Sequence, residues 1–202
     1  MTHAADDIIG LYRRHADAWV NLRGTALVEK AWLEKFCALM APAAQVLDLG
    51  CGFGAPLGAF LLDQGHAVTG VDSSPELIKI AQDCLPAGAW IVGDMRTLNL
   101  RQRFGGVLAW DSSFHLTQAD QRDLFAILAR HSAPGAPLMF TAGPKDGEAM
   151  GTFEGEPLFH ASLAPSEYRS LLDKYGFDVV DHVIEDPDCG FRTIWLAQKR
   201  LT

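Results

Sequence analysis

The sequence predicts a doubly wound α/β fold: a mostly parallel sheet that ends in an antiparallel strand and is preceded by helices forming a lid. Three observations carry this. Five short, β-rich apolar runs succeed one another, QVLDLG from Gln45, then HAVTGVD, AWIVGD, GGVLAWD and PLMFTAG. Helical stretches separate most of them, at Pro56 to Gln64, Pro75 to Cys84 and Gln118 to His131. Two closing runs, FDVVDHVIED and FRTIWLAQK, are joined only through Pro187-Asp188-Cys189-Gly190. A parallel return needs about a dozen residues or more, so these two strands are antiparallel.

The elements follow in order. From Ile8 to Met40, Leu11, His15, Ala18, Trp19 and Leu22, then Leu27, Ala31, Leu33, Phe36 and Leu39 recur at helical spacing. They predict two helices broken near Arg23-Gly24, the second ended by Pro42. The five runs are apolar on both faces, as strands covered by helices on each side must be. With the closing pair they make seven strands. Pro144 to Ala164 has no clear period and is rich in Gly, Glu and Pro, which predicts a long loop. Loops of that length are usually lids or binding elements. Pro165-Ser166 starts a last helix that ends at Tyr175-Gly176.

The chain has 202 residues, enough for one domain with a full core and short for two. Its 49% hydrophobic and 21% charged residues fit an ordinary globular protein. No apolar run approaches the roughly 18 residues that span a bilayer. Asp6 and Asp7 stand where a secretory signal carries Lys or Arg, so a cytoplasmic location is expected. Cys37, Cys51, Cys84 and Cys189 lack pairing or metal-ligand spacing and read as small apolar residues, with no metal site. The net charge of −8, without a stripe of Lys and Arg, argues against nucleic acid and anionic membranes and for a small-molecule substrate.

The strongest chemical signal is Val46-Leu47-Asp48-Leu49-Gly50-Cys51-Gly52-Phe53-Gly54, a strand entering a turn of three alternating glycines before a helix. Glycines let a ligand lie against the backbone. In open α/β sheets, ligands sit beyond the carboxyl ends of the strands where the strand order switches. Two cofactor classes compete. The dinucleotide fingerprint G-x-G-x-x-G is not met, since Ala55 and Pro56 stand where its third glycine is sought. Asp48 would also face a pyrophosphate. A sulfonium with an ammonium-bearing tail and no phosphate suits this acidic turn better.

Asp72 ends the second strand, about twenty residues beyond the glycines, where a carboxylate can accept from both ribose hydroxyls. Its bland alternative is a helix N-cap, a role Ser73 or Ser74 fills equally well. Asp94 ends the third strand and can accept from an adenine amino group, with Met95 packed on the ring.

Together these residues resemble the class I S-adenosylmethionine-dependent methyltransferases, and the whole chain is similar to a small bacterial subgroup of them. The resemblance implies a Rossmann-like, seven-stranded sheet with an antiparallel last strand. It implies that Asp48, Gly50, Cys51, Gly52 and Gly54 surround the methionine part, Asp72 and Ser73 the ribose, and Asp94 and Met95 the adenine. It implies one domain over residues 1–202: N-terminal helices 1–42, a cofactor core 45–142, an acceptor-side loop 143–165, and a helix with the closing hairpin 166–202. The expected product is S-adenosylhomocysteine.

Catalytic candidates follow the fourth strand. Trp110 and Asp111 stand where the family's fourth motif faces cofactor and acceptor, Trp110 as wall of the site or as core. His115 is a candidate base, because an imidazole titrates near neutrality, or a residue shaping the pocket. His160 is a second base candidate in a segment that also offers Glu154, Glu156 and Tyr168. Tyr12, Trp19 and Arg23 lie on helices that can close over the cofactor. Arg23 can pair with the methionine carboxylate. The rival readings are an NAD(P)-dependent oxidoreductase and a non-catalytic protein that binds the adenosyl ligand.

Overall fold

The structure, a computed structural model, describes residues 4–201. Its strands are β1 (Gln45–Leu49), β2 (Ala67–Asp72), β3 (Ala89–Val92), β4 (Gly106–Ala109), β5 (Pro137–Ala142), β6 (Gly147–Phe153), β7 (Glu156–Ser162), β8 (Phe177–Asp186) and β9 (Arg192–Lys199). The helices are α1 (Ile8–Arg14), α2 (Ala16–Arg23), α3 (Lys30–Ala38), α4 (Leu57–Asp63), α5 (Pro75–Cys84), α6 (Gln118–His131) and α7 (Pro165–Lys174).

Seven strands form one sheet in the order β3-β2-β1-β4-β5-β9-β8. The neighbours from β3 to β5 pair in parallel, and β9 runs against both β5 and β8. The chain winds outward from β1 to β3, then crosses back and continues from β4. The strand order therefore switches between β1 and β4, which opens a crevice beyond their carboxyl ends. Alternation along β1 divides the core. Leu47 and Leu49 join Leu124, Phe125, Leu128, Leu171 and Leu172 of α6 and α7 on one face. Val46 joins Trp32, Leu33, Phe36, Leu57, Leu61 and Ile78 of α3, α4 and α5 on the other. Asp48 shares Val46's side of the pleat, so its carboxyl group enters the apolar layer under the glycine turn.

Helix ends match their sequence signals. Ser74 caps α5 by accepting from the Leu77 amide at 3.2 Å, with Pro75 in the first helical position. Thr117 caps α6 by accepting from the Asp120 amide at 3.1 Å. The four cysteines are free thiols. Among the described residues, no helix is long and apolar enough to cross a membrane.

Two expectations change. The first predicted helix is two, because His15 leaves helical geometry at φ −117° and ψ 30°. α1 and α2 form the lid, whereas α3 packs on the sheet face. The predicted loop over 144–164 is largely an antiparallel hairpin, β6 paired with β7. Glu154 and Gly155, at φ 51° and 80°, make the two-residue turn with both residues left-handed that twists with its strands. Phe159 and Ala161 of β7 pack under Ile8 and Leu11 of α1. The alternate residues Leu158, His160 and Ser162 line a cavity.

Candidate active site

The three glycines of the turn meet three different demands. Gly50 has φ +73°, and a Cβ there would lie 2.3 Å from Ser112 Cβ. Ser112 crosses so closely because its hydroxyl donates to the Leu49 carbonyl at 2.7 Å, tying the loop after β4 to the end of β1. Gly52 has φ +55° and lies under the lid, where a Cβ would be 3.4 Å from Trp19 Nε1. Gly54 packs on Trp90, whose ring would be 2.7 Å from an added Cβ. Asp72 ties the turn to β2: its Oδ2 accepts from the Gly52 amide at 2.8 Å and its Oδ1 from the Ser74 amide at 2.9 Å.

Three cavities meet above this turn. The first runs past Tyr12, Gly50, Gly52, Asp72, Ser73, Asp94 and Met95. The second is smaller and lies at the turn itself, against Arg23, Asp48, Cys51, Gly54 and Trp110. The third, of about 460 Å³, opens between the ends of β4 and β5, the hairpin and the turn before β9. Trp19 and Asp111 line all three, and Tyr12 and His115 line the first and third. The residues expected at a cofactor thus share the first two cavities, while Asp111, His115 and His160 share the third.

Burial dominates the electrostatics. It raises the Asp48 carboxyl to a pKa of about 7, with the Asp72 charge adding to the shift. Burial also raises Asp72, although amides of Ser74, Gly52 and Ser73 pull it back. Burial raises Asp111 against the opposing pull of Arg192. Asp94 differs: burial pushes it up, but hydrogen bonds from Arg96 outweigh that and leave it below its ordinary value. Arg96 Nη2 meets Asp94 Oδ2 at 2.6 Å.

The catalytic candidates divide. The Tyr12 hydroxyl donates to His115 Nε2 at 3.0 Å, and His115 Nδ1 donates to the Phe159 carbonyl at 2.8 Å. Both ring nitrogens are occupied, and burial depresses the His115 pKa to about 4. His115 therefore braces the lid against the hairpin while lining the first and third cavities. His160 is half-buried on β7, with its pKa lowered by desolvation, and its ring lies 4.8 Å from that of His115. Trp110 is both core and wall. Its ring is buried in the layer of α3 and α4, reaching only the second cavity.

Arg23, expected to meet a ligand carboxylate, donates to Glu29 Oε1 at 2.7 Å and to the Ala26 carbonyl at 3.2 Å. Glu156 is held by Arg14 and by His15 at 2.6 Å, Glu154 occupies the hairpin turn, and the Tyr168 hydroxyl donates to Gln121 in the core. Sequence reasoning missed Glu29 and Arg192. Arg192 Nε donates to Asp111 Oδ2 at 2.8 Å, and its Nη2 lies 3.7 Å from the fully buried Glu29. No local pattern marks either residue. The pairing of Arg192 with Asp111 spans 81 positions.

Comparison with known proteins agrees with this architecture. Residues 46–135 match a family described as a methyltransferase domain. An uncharacterised methyltransferase of Synechocystis is 27% identical over 173 residues, covering 81% of this chain and 79% of that protein. The magnesium-protoporphyrin O-methyltransferase of Rhodobacter capsulatus is 33% identical over 149 residues, covering 70% and 64%. Among solved structures, magnesium protoporphyrin IX methyltransferase from Synechocystis with bound S-adenosylmethionine superposes with a TM-score of 0.71 at 21% identity, over 98% of this chain and 100% of that one. The core sequence thus matches a methyltransferase domain over residues 46–135, and nearly the whole chain has the Rossmann-like fold of a solved methyltransferase that binds S-adenosylmethionine.

Proposed function

We propose that the protein transfers a methyl group from S-adenosylmethionine to a small-molecule acceptor by direct displacement. The observation that carries this reading is the meeting of the two cavities lined by the expected cofactor residues with a separate, larger cavity at Asp111 and Trp19. The adenosine lies along Asp72, Asp94 and Met95, and the amino-acid tail reaches the turn beside Asp48. Asp48 and Asp72 are buried carboxylates that favour a bound cation over a phosphate-bearing ligand. Solved structures that share the fold hold S-adenosylmethionine or S-adenosylhomocysteine.

In the reaction, a lone pair on the acceptor attacks the methyl carbon. The carbon–sulfur bond breaks with its electron pair going to sulfur, and S-adenosylhomocysteine leaves. His160 accepts the proton that the acceptor sheds. Alignment of nucleophile, methyl and sulfur supplies much of the rate, and the Trp19 and Tyr12 lid excludes water.

Thermal unfolding with S-adenosylhomocysteine or NADH tests the cofactor. A ligand at 100 times its dissociation constant stabilises by about 2.7 kcal/mol, a midpoint shift of roughly 5–10 °C for a chain of this size. A shift with S-adenosylhomocysteine alone, reduced in Asp72→Asn, is expected. A shift with NADH alone would refute the reading.

A further inference from the structure

This inference rests on the methyltransferase reading and concerns the acceptor. The third cavity has a volume of about 460 Å³ and is rich in rings, among them Phe114, His160 and Phe191. The Phe114 and His160 centroids are 5.2 Å apart. Among the described residues, only two of its lining side chains are permanently charged, Asp111 and Arg192, and each is taken by the other. Arg192 Nε reaches the two Asp111 oxygens at 3.1 and 2.8 Å, and its Nη1 donates to the Cys189 carbonyl at 3.1 Å. Among the described residues, no lining cation is left over for a carboxylate or phosphate, and no carboxylate is left over for an ammonium.

Phe191 adds an independent observation. It sits at the cavity mouth with φ +57°, directly after Gly190 at φ +63°, and is 71% exposed. That backbone region is costly for a bulky L-residue and free for glycine. A glycine would hold the same turn unstrained, and the exposed ring repays little by burial. Strained backbone of this kind clusters at ligand-binding sites.

We infer that the third cavity takes a flat, uncharged aromatic or heteroaromatic acceptor that carries the N–H or O–H to be methylated. Its faces lie against the Phe114 and Phe191 rings, and its ionisable edge points toward Asp111 and Trp19, where the cofactor cavity opens.

Two fluorescent probes, 2-naphthol and 7-hydroxycoumarin, test this by anisotropy on protein saturated with S-adenosylhomocysteine. Loading is verified first by calorimetry, so failure of the cofactor reading shows before any probe is added. The expected result is that a flat neutral phenol binds and that neither trans-4-aminocyclohexanol nor 4-hydroxybenzoate displaces it. Phe191→Gly is expected to weaken binding about tenfold, the loss of one aromatic contact, without lowering the thermal midpoint. The inference is overturned if neither probe binds the loaded protein, if the amine or the carboxylate competes equally well, or if Phe191→Gly leaves affinity unchanged.

Discussion

Gly50→Ala is the sharpest probe of how the turn is built. The added Cβ would meet Ser112 Cβ at 2.3 Å and Ser112 Oγ at 2.9 Å. Ser112 cannot retreat freely, because its hydroxyl is fixed on the Leu49 carbonyl and the side chain is buried. Overpacking of this kind costs about 1–3 kcal/mol. The left-handed φ of +73° adds about 1–2 kcal/mol for any L-residue. Together they predict a loss of about 2–5 kcal/mol in urea unfolding. The two terms separate in a double-mutant cycle. Ser112→Gly alone loses a hydrogen bond, about 1 kcal/mol. In the Gly50→Ala background it also removes the clash, leaving only the backbone term. A favourable coupling of about 1–3 kcal/mol is therefore expected. If Gly50→Ala costs less than about 0.5 kcal/mol, a loss typical of inert surface changes, or if Ser112→Gly rescues nothing, the close crossing of β1 and the loop after β4 is wrong.

Two further outcomes follow from the pKa shifts. Asp48 binds its proton more tightly in the folded chain than when unfolded, so its own contribution to stability is greatest below the ordinary carboxyl range and falls as pH rises toward about 7. Asp48→Asn should flatten that slope between about pH 4 and 7. A cationic ligand tail favours the ionised form, so S-adenosylhomocysteine binding near pH 7 should release a proton, read as a dependence of calorimetric enthalpy on buffer that Asp48→Asn removes. Equal enthalpies in all buffers for the unaltered protein would count against Asp48 as the tail's partner. Once an acceptor is in hand, His160→Gln should lower turnover about 10²–10⁴-fold and abolish the acidic limb of the pH profile. His115→Gln should keep that limb, since its ring nitrogens are already committed to Tyr12 and Phe159. The reverse pattern would return the base role to His115.

The fold was legible wherever the signal was local. Buried parallel strands announce themselves as apolar runs, and α5 and α6 begin and end where the sequence places them, because Ser74, Pro75 and Thr117 are local caps. The hairpin was not legible. The outer strand β6 is mostly exposed and has no apolar alternation, and Gly147, Gly151 and Gly155 imitate a loop. Its partner β7 alternates only in relation to surfaces the sequence does not display, with Phe159 under α1 and His160 at the third cavity. The site divides in the same way. Asp48, the glycines and Asp72 form one compact unit in sequence and in space, whereas the environment of His115 is made by Tyr12 and Phe159, which lie 103 and 44 positions away. Whether an imidazole can take a proton depends on burial and on free lone pairs, and neither is a property of its neighbours in the chain. The same reasoning separates Asp111 from the simple carboxylate that the sequence offers. With Arg192 across it and Glu29 behind, its charge is already balanced, so it fixes the geometry at the junction of the cavities.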